Sequence, residues 1–291
     1  MIAKNIHTAC RPAIWTGQNF IREEKLVKHL LSLSDISQND CVIEIGSGKG
    51  VITKCLSRVA KQVIAIEADK NLAHALNNEL VNLPHVQIIA ADFLSWQLPQ
   101  YPYKVFANIP FAMTADIINK LTQNSYFQSG YLIVQDKAAL RFAPKRKQTQ
   151  IAILLAPIFH MEIISKIKRF AFSPIPKVNI VLLKIIRRKK PLININDYQK
   201  FCDFVVYGYN RWQPNMMLAL KPIFTKKQRQ QLAAKFGLAK AKPSQLTFAQ
   251  WQQLFIYFKQ QANLEKRQLI AGAYKKLLKQ QQKLQKIYRT R

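Results

Sequence analysis

One stretch constrains this chain more than any other: Cys41 to Gly50, CVIEIGSGKG. Val42, Ile43 and Ile45 form an apolar, β-branched run that predicts a buried strand. Gly46, Ser47, Gly48 and Gly50 remove side-chain bulk from the turn that follows. A ligand can then approach the backbone at the carboxyl end of a parallel strand. A second extended run, Gln62 to Ile66, closes on Glu67, about twenty residues after the first glycine, where an acid can accept two hydrogen bonds from a ribose diol. Dinucleotide enzymes use such a turn too, and some folds keep it with no ligand.

The pattern then alternates. After the turn, Val51 to Val59 reads as a helix, and Leu72, Ala75, Leu76 and Leu80 mark another. Strands are predicted at Val86–Ala90, Lys104–Ala107 and Tyr131–Gln135, with a helix over Ala115–Leu121. Two later extended pieces, Glu162–Ile167 and Asn179–Ile185, flank Phe172-Ser173-Pro174-Ile175-Pro176. Strand–helix alternation of this kind argues an α/β fold with a mostly parallel sheet covered on both faces. Upstream, residues 1–16 read as a basic arm and 17–33 as a helix, with Gly17-Gln18-Asn19-Phe20 placed to cap it or to line a ligand site. Arg187-Arg188-Lys189-Lys190-Pro191 marks a junction. Beyond it, 197–209, 214–221, 226–236, 248–260 and 264–288 carry helical periodicity. The domains expected are therefore 1–186, α/β, and 187–291, all-helical.

Charge sharpens the division. The chain has 291 residues and a net charge of +30. Residues 1–186 hold 22 basic and 12 acidic side chains, whereas 187–291 hold 23 and 3. Such an excess points to a polyanionic partner. The cysteines, at 10, 41, 55 and 202, and the five histidines have no metal-ligand or redox spacing. Reduced thiols in the cytoplasm and no metal site are the expectation. The first residues lack the apolar core of a secretory leader. The longest apolar run, Ile151 to Phe159, is too short to span a bilayer, so no membrane partner is expected.

Three strand ends share one crevice in such a sheet: Glu67, Asp92 and Asn108. Asp92, beside Phe93, suits the exocyclic amine of an adenine; a helix cap or a solvated loop acid explains it as well. Asn108-Ile109-Pro110-Phe111 is sharper. Asparagine offers one acceptor and two donors. Pro110 lacks an amide hydrogen and turns the chain while leaving carbonyls free. Phe111 adds a flat ring for stacking. Together they make a cup for a planar base with an amino group. The Asn108 carbonyl and a backbone carbonyl near Ile109 would each accept one amine hydrogen and aim the nitrogen lone pair at an electrophile. No acid lies within the tetrapeptide, which agrees with an electrophile that is already charged. The alternative is a turn with a core phenylalanine. Phe172, in a rigid loop beside Lys168 and Arg169, would close the other face of the base, or belong to the core.

EIGSGKG at 44–50, GQNF at 17–20, Glu67, Asp92, NIPF at 108–111 and FSPIPKV at 172–178 together resemble the S-adenosylmethionine-dependent rRNA adenine N6-dimethyltransferases. The resemblance covers about residues 15–190 well. It implies a Rossmann-like S-adenosylmethionine-dependent methyltransferase domain with a small all-helical C-terminal domain for RNA. It implies that Asn19, Ile21 through its backbone, Gly46, Glu67, Asp92 and Asn108 bind S-adenosylmethionine: Gly46 against the methionine part, Glu67 at the ribose and Asp92 at the adenine. Asn108 would contact both the cofactor and the target amine, at the turn that Pro110 makes, and Phe111 and Phe172 would sandwich the base. The products would be methylated rRNA and S-adenosylhomocysteine. Two branches compete. The Erm-type enzymes dimethylate an adenine in the peptidyl transferase loop of 23S rRNA and confer macrolide–lincosamide–streptogramin B resistance. The housekeeping enzymes act near the 3′ end of 16S rRNA. Ile109, and Phe224-Thr225-Lys226-Lys227-Gln228 as an FTxxQ segment, favour the Erm-type branch. The partner expected is then 23S rRNA, free or in immature large-subunit particles, met by a monomer. The basic stretch Lys275–Arg291 is longer than in the shortest relatives of this kind.

Three other classes fit less well. A small-molecule or protein-glutamine methyltransferase leaves the basic helical part unexplained. A nicotinamide oxidoreductase would want GxGxxG, which EIGSGKG does not supply. A pure RNA-binding or transcription-factor role tolerates loss of Asn108, which is present.

Overall fold

The computed structural model describes residues 19–211 and 213–283, and the expected arm over 1–16 lies outside them. In chain order the strands are β1 (Phe20–Ile21), β2 (Cys41–Ile45), β3 (Gln62–Glu67), β4 (Val86–Ala90), β5 (Tyr103–Asn108), β6 (Phe127–Gln135), β7 (Phe159–Ile167), β8 (Phe172–Ser173) and β9 (Ile180–Arg187). The helices are α1 (Glu24–Ser32), α2 (Val51–Leu56), α3 (Lys70–Glu79), α4 (Thr114–Gln123), α5 (Asp136–Phe142), α6 (Gln150–Leu155), α7 (Ile195–Tyr209), α8 (Met216–Ala219), α9 (Lys226–Phe236), α10 (Phe248–Gln261), α11 (Leu264–Ile270) and α12 (Ala273–Lys283). By compactness the chain divides into two units. One runs up to Tyr126 and includes Ile167–Val178; the other comprises Phe127–Lys166 and the residues from Asn179. This division differs from a boundary at 186/187: β6, β7 and β9 group with the helices that follow them.

In the first unit four parallel strands run in the order β4-β3-β2-β5. Val42 faces Val63 on one side and Lys104 on the other. The β-branched runs that predict these strands are buried: Val42, Ile43, Val63 and Val105 expose nothing or almost nothing. This is the pattern of parallel strands covered on both faces. Asp69 caps α3 by accepting from Asn71 and Leu72 backbone N–H. The helix expected over 17–33 starts later than its periodicity suggests. Its N-cap is Glu23, which makes no side-chain cap bond, so the 17–20 segment does not supply the cap residue; Gln18 lies outside the described residues. Residues 20–21 instead form β1, which pairs antiparallel with β8, Phe20 opposite Ser173 and Ile21 opposite Phe172.

In the second unit β6 pairs antiparallel with β9, from Ser129 opposite Ile186 to Gln135 opposite Ile180. From α7 to α12 the described chain is helical, around an aromatic core of Phe201, Phe204, Trp251, Phe255 and Phe258. The Phe201 and Phe255 rings meet edge-on at 5.4 Å, a favoured aromatic geometry. The Phe224–Gln228 segment has a local structural task. Thr225 and Gln228 form a reciprocal capping box at the start of α9, and Phe224 is buried. The helix expected over 264–288 is broken within the described residues, and its 284–288 part lies outside them. Gly272 takes a left-handed φ of 77°, and the buried Asp203 accepts from the Gly272 and Tyr274 backbone N–H at 3.1 and 2.8 Å. The chain restarts as α12 with those N–H groups satisfied by a side chain. The segment expected over 214–221 is likewise shorter, Met216–Ala219. No helix among the described residues is long and apolar enough to cross a membrane.

Candidate active site

The site forms where β2, β3, β4 and β5 end side by side. Gly46 follows β2 directly, with φ 74° and its N–H bonded to the Ile66 carbonyl at 2.8 Å. Gly46 lines a pocket shared with Asn108, and a Cβ here would lie 4.0 Å from the Asn108 backbone carbonyl. Gly48 (φ 52°) carries the ring of Phe20 directly above it; a Cβ would approach Phe20 Cε1 to 2.7 Å. Both positions therefore need glycine, one for conformation and open space, the other for conformation and a close ring. Lys49 Nζ lies 5.8 Å from the centroid of the same ring.

Glu67 closes β3 as expected and is almost fully buried. Its carboxylate clamps two turns at once, accepting from Gly48 N–H at 2.8 Å and Asp69 N–H at 3.0 Å. Asp92, just beyond β4, accepts from Leu94 N–H at 2.9 Å. Its loop is held by a residue that the sequence did not single out. Lys120, on α4, donates to the carbonyls of Phe93 (2.6 Å), Leu94 (3.0 Å) and Trp96. The ammonium also stands 5.0 Å from the Phe93 ring centroid. Burial pushes the Lys120 pKa down, and the negative Asp92 opposes that. Lys120→Met strips three carbonyls of their donor and is expected to cost about 1–3 kcal/mol of stability, read as a lower midpoint in urea unfolding.

Asn108 ends β5, half-buried. Its side-chain amide donates to the Asn19 carbonyl at 2.7 Å, which turns the Oδ1 acceptor to the other side of the group. Asn19, Phe20, Gly46, Asn108, Ile109, Pro110 and Phe111 line one pocket. Pro110 introduces a single helical turn, Phe111–Met113, and the Pro110 carbonyl is taken by Met113 N–H. Five of the residues expected at the site, Asn19, Gly46, Asn108, Pro110 and Phe111, thus line one cavity. Phe20, from the segment expected to cap the helix or line a ligand site, and Ile109, whose backbone carbonyl is expected to face the amine, join them.

Four expected residues do not line this pocket: Glu67 and Asp92, at the ends of the neighbouring strands, and Ile21 and Phe172. The Ile21 side chain is buried, and the role expected of this residue is its backbone's alone. Phe172 is completely buried and does not line the pocket. The reason is register: directly opposed residues of an antiparallel pair point to the same face. Ile21 and Phe172 face the core together, while Phe20 and Ser173 face the other way, Phe20 into the cavity. The ring that the sequence offers as the second face of a base sandwich is a core ring in this structure.

Directly behind the glycine turn lies Glu44, also buried. Thr53 Oγ1 donates to its Oε2 at 2.6 Å, and Oε1 has no hydrogen-bond partner. Burial raises its pKa to about 8 against the pull of the Thr53 hydrogen bond, with the charge of Glu67 adding to the rise. Among the described residues no cluster of three or more His, Cys, Asp or Glu is arranged to hold a metal.

A family model described as ribosomal RNA adenine dimethylase matches residues 14–260. An rRNA adenine N-6-methyltransferase of Bacteroides fragilis is 30% identical over 248 residues, covering 84% of this chain and 93% of that protein. A ribosomal RNA small subunit methyltransferase A of Mycoplasmopsis pulmonis is 29% identical over 217 residues, 73% of this chain and 84% of that one. Among solved structures, the 23S rRNA methyltransferase ErmE superposes with a TM-score of 0.78 at 23% identity, over 83% of this chain and all of that chain. It shares the α/β methyltransferase fold.

Proposed function

Because the chain belongs to the ribosomal RNA adenine dimethylase family, we propose that it methylates N6 of one adenine in the peptidyl transferase loop of 23S rRNA, to N6,N6-dimethyladenosine. S-adenosylmethionine is the donor and macrolide–lincosamide–streptogramin B resistance the consequence. The observation that carries the reading is the meeting of Asn108 and Phe111 with Gly46 in one pocket. An amine-orienting side chain, a ring and an open glycine turn stand together at neighbouring strand ends.

The residues fit the donor. Gly46 lines the pocket and puts no side chain against the Asn108 carbonyl. Glu67 spends one lone pair of each oxygen on a backbone N–H, and each carboxylate oxygen accepts more than one hydrogen bond. Glu67 would hold the ribose hydroxyls, Asp92 the adenine amine, and Asn19 with the Ile21 backbone the methionine end. When bound, the donor supplies an electrophilic sulfonium methyl. The rest is positioning. Asn108 Oδ1 and a backbone carbonyl at Ile109 accept the two hydrogens of the target amine. The nitrogen lone pair, otherwise delocalised into the ring, is turned out of conjugation. Phe111 lies along the base. Orientation and fixed dipoles supply the acceleration, and no side chain of the tetrapeptide acts as a base.

The RNA itself would be gripped by phosphate contacts, chiefly from the basic residues of 187–291. Each neutralised phosphate is expected to add about 0.7–0.9 to the slope of log affinity against log salt. The substrate is free or immature 23S rRNA, met in the cytoplasm by a monomer. Ile109 is the residue that favours the large subunit. The FTxxQ segment carries less, since its Thr225 and Gln228 are engaged in a capping box. The second reading, methylation near the 3′ end of 16S rRNA, is favoured by the likeness to the small-subunit enzyme. Primer extension on both rRNAs from cells expressing the protein separates them. A new stop in the 23S peptidyl transferase loop is the expected result, and a change confined to the 16S 3′ end would reverse the assignment.

A further inference from the structure

We propose that Phe170 is a wedge that enters the RNA stack where the target adenine leaves it. The proposal rests on the adenine-methylation reading above. An amine inside a stack is out of reach of a pocket, so the base must be extruded. Proteins that open a base step commonly insert an apolar side chain there.

The segment Ile167–Val178 has the required features. Phe170 is 66% exposed and Ile175 58% exposed. Single apolar side chains at a surface are ordinary, but these two share a short loop with the exposed Lys168, Arg169 and Lys177 and with no acidic residue. Lys168 Nζ stands 5.6 Å from the Phe170 ring centroid. The surface is therefore aromatic with a cationic surround, complementary to stacked bases flanked by phosphates.

The loop that carries the ring is also joined, through its backbone, to the strand whose Phe20 lines the pocket. Phe170 sits in the helical turn Arg169–Ala171. The next carbonyl, of Ala171, accepts from Arg22 N–H at 3.0 Å. Phe172 and Ser173 then pair with Ile21 and Phe20, and Phe20 lines the cavity beside Asn108 and Phe111. The loop thus has one aromatic locked in the core, Phe172, and one presented outward, Phe170.

The test uses the full chain and two RNA hairpins of one composition, the target adenine stacked in the stem of one and unstacked in the loop of the other. Phe170→Ala is expected to lower kcat/KM on the stacked RNA about tenfold, the scale of one lost base–aromatic stack. The loss should vanish on the unstacked RNA, and Phe170→Trp should keep the wild-type rate on both. With 2-aminopurine at the target position, the wild-type protein should raise its fluorescence on binding and Phe170→Ala should not. Equal rates for wild type and Phe170→Ala on the stacked RNA would overturn the wedge, and so would an equal loss on both RNAs. A wild-type protein inactive on both hairpins and on 23S rRNA would instead remove the methylation reading, and the wedge with it.

Discussion

Asn108→Ala is expected to abolish methyl transfer while RNA binding stays near that of the wild type. The side chain has two jobs. Its amide N–H holds the Asn19 carbonyl, which fixes one wall of the pocket. Its Oδ1 is the acceptor proposed to orient the target amine. Alanine removes both. The loss of orientation and of one preorganised dipole is expected to lower kcat by about 10²–10⁴-fold. Loss of the single hydrogen bond to Asn19 is expected to cost only about 1 kcal/mol of stability, so the variant should fold. Asn108→Asp sharpens the test: it replaces the donor facing Asn19 by an acceptor, and it should be inactive too. Methyl incorporation, filter binding of RNA and a thermal melt measured together separate the effects. A fully active Asn108→Ala protein would sink the amine-orientation mechanism, whichever rRNA is the substrate.

Glu44→Gln is expected to stabilise the protein at neutral and alkaline pH. The folded state holds the Glu44 proton up to about pH 8, against a usual value of 4.5. Between those values the folded state binds a proton that the unfolded chain has released, so stability falls as pH rises. Glutamine keeps the acceptor for Thr53 and has no proton to lose. Below about pH 4.5 the two proteins should differ little. Above it the gap should widen by up to about 1.4 kcal/mol per pH unit and level off beyond pH 8, at about 3–5 kcal/mol. Urea midpoints of both proteins across pH 5 to 9 read this directly. Parallel pH profiles would mean that Glu44 is not held neutral.

The parts of this molecule that were legible in sequence are those decided locally. β2, β3 and β4 are short β-branched runs bounded by glycine, acid or polar residues, and they lie where that pattern puts them. The Asn-Ile-Pro-Phe turn was legible because proline and asparagine have few alternative uses at a strand end. What was not legible depends on partners distant in sequence. Nothing local distinguishes Phe170 from Phe172; the pairing of β8 with β1 decides which ring is buried. Lys120 looks like an ordinary helix lysine until the 92–96 loop supplies three carbonyls. The break at Gly272 hides within an apolar stripe that runs through it, and the acid that secures the turn, Asp203, comes from another helix.

The two-residue pairing of β1 with β8 also bears on how the protein is made. Its partners are roughly 150 residues apart along the chain, so closing that loop carries a larger entropic penalty than any contact between neighbouring strands. A ribosome releasing this chain from its N-terminus exposes the glycine turn and the Asn108 turn early. It delivers Phe172 and Ser173 only roughly 150 residues after Phe20. The nascent protein therefore carries an unfinished pocket, its Phe20 wall unpaired, until that late segment arrives to brace it.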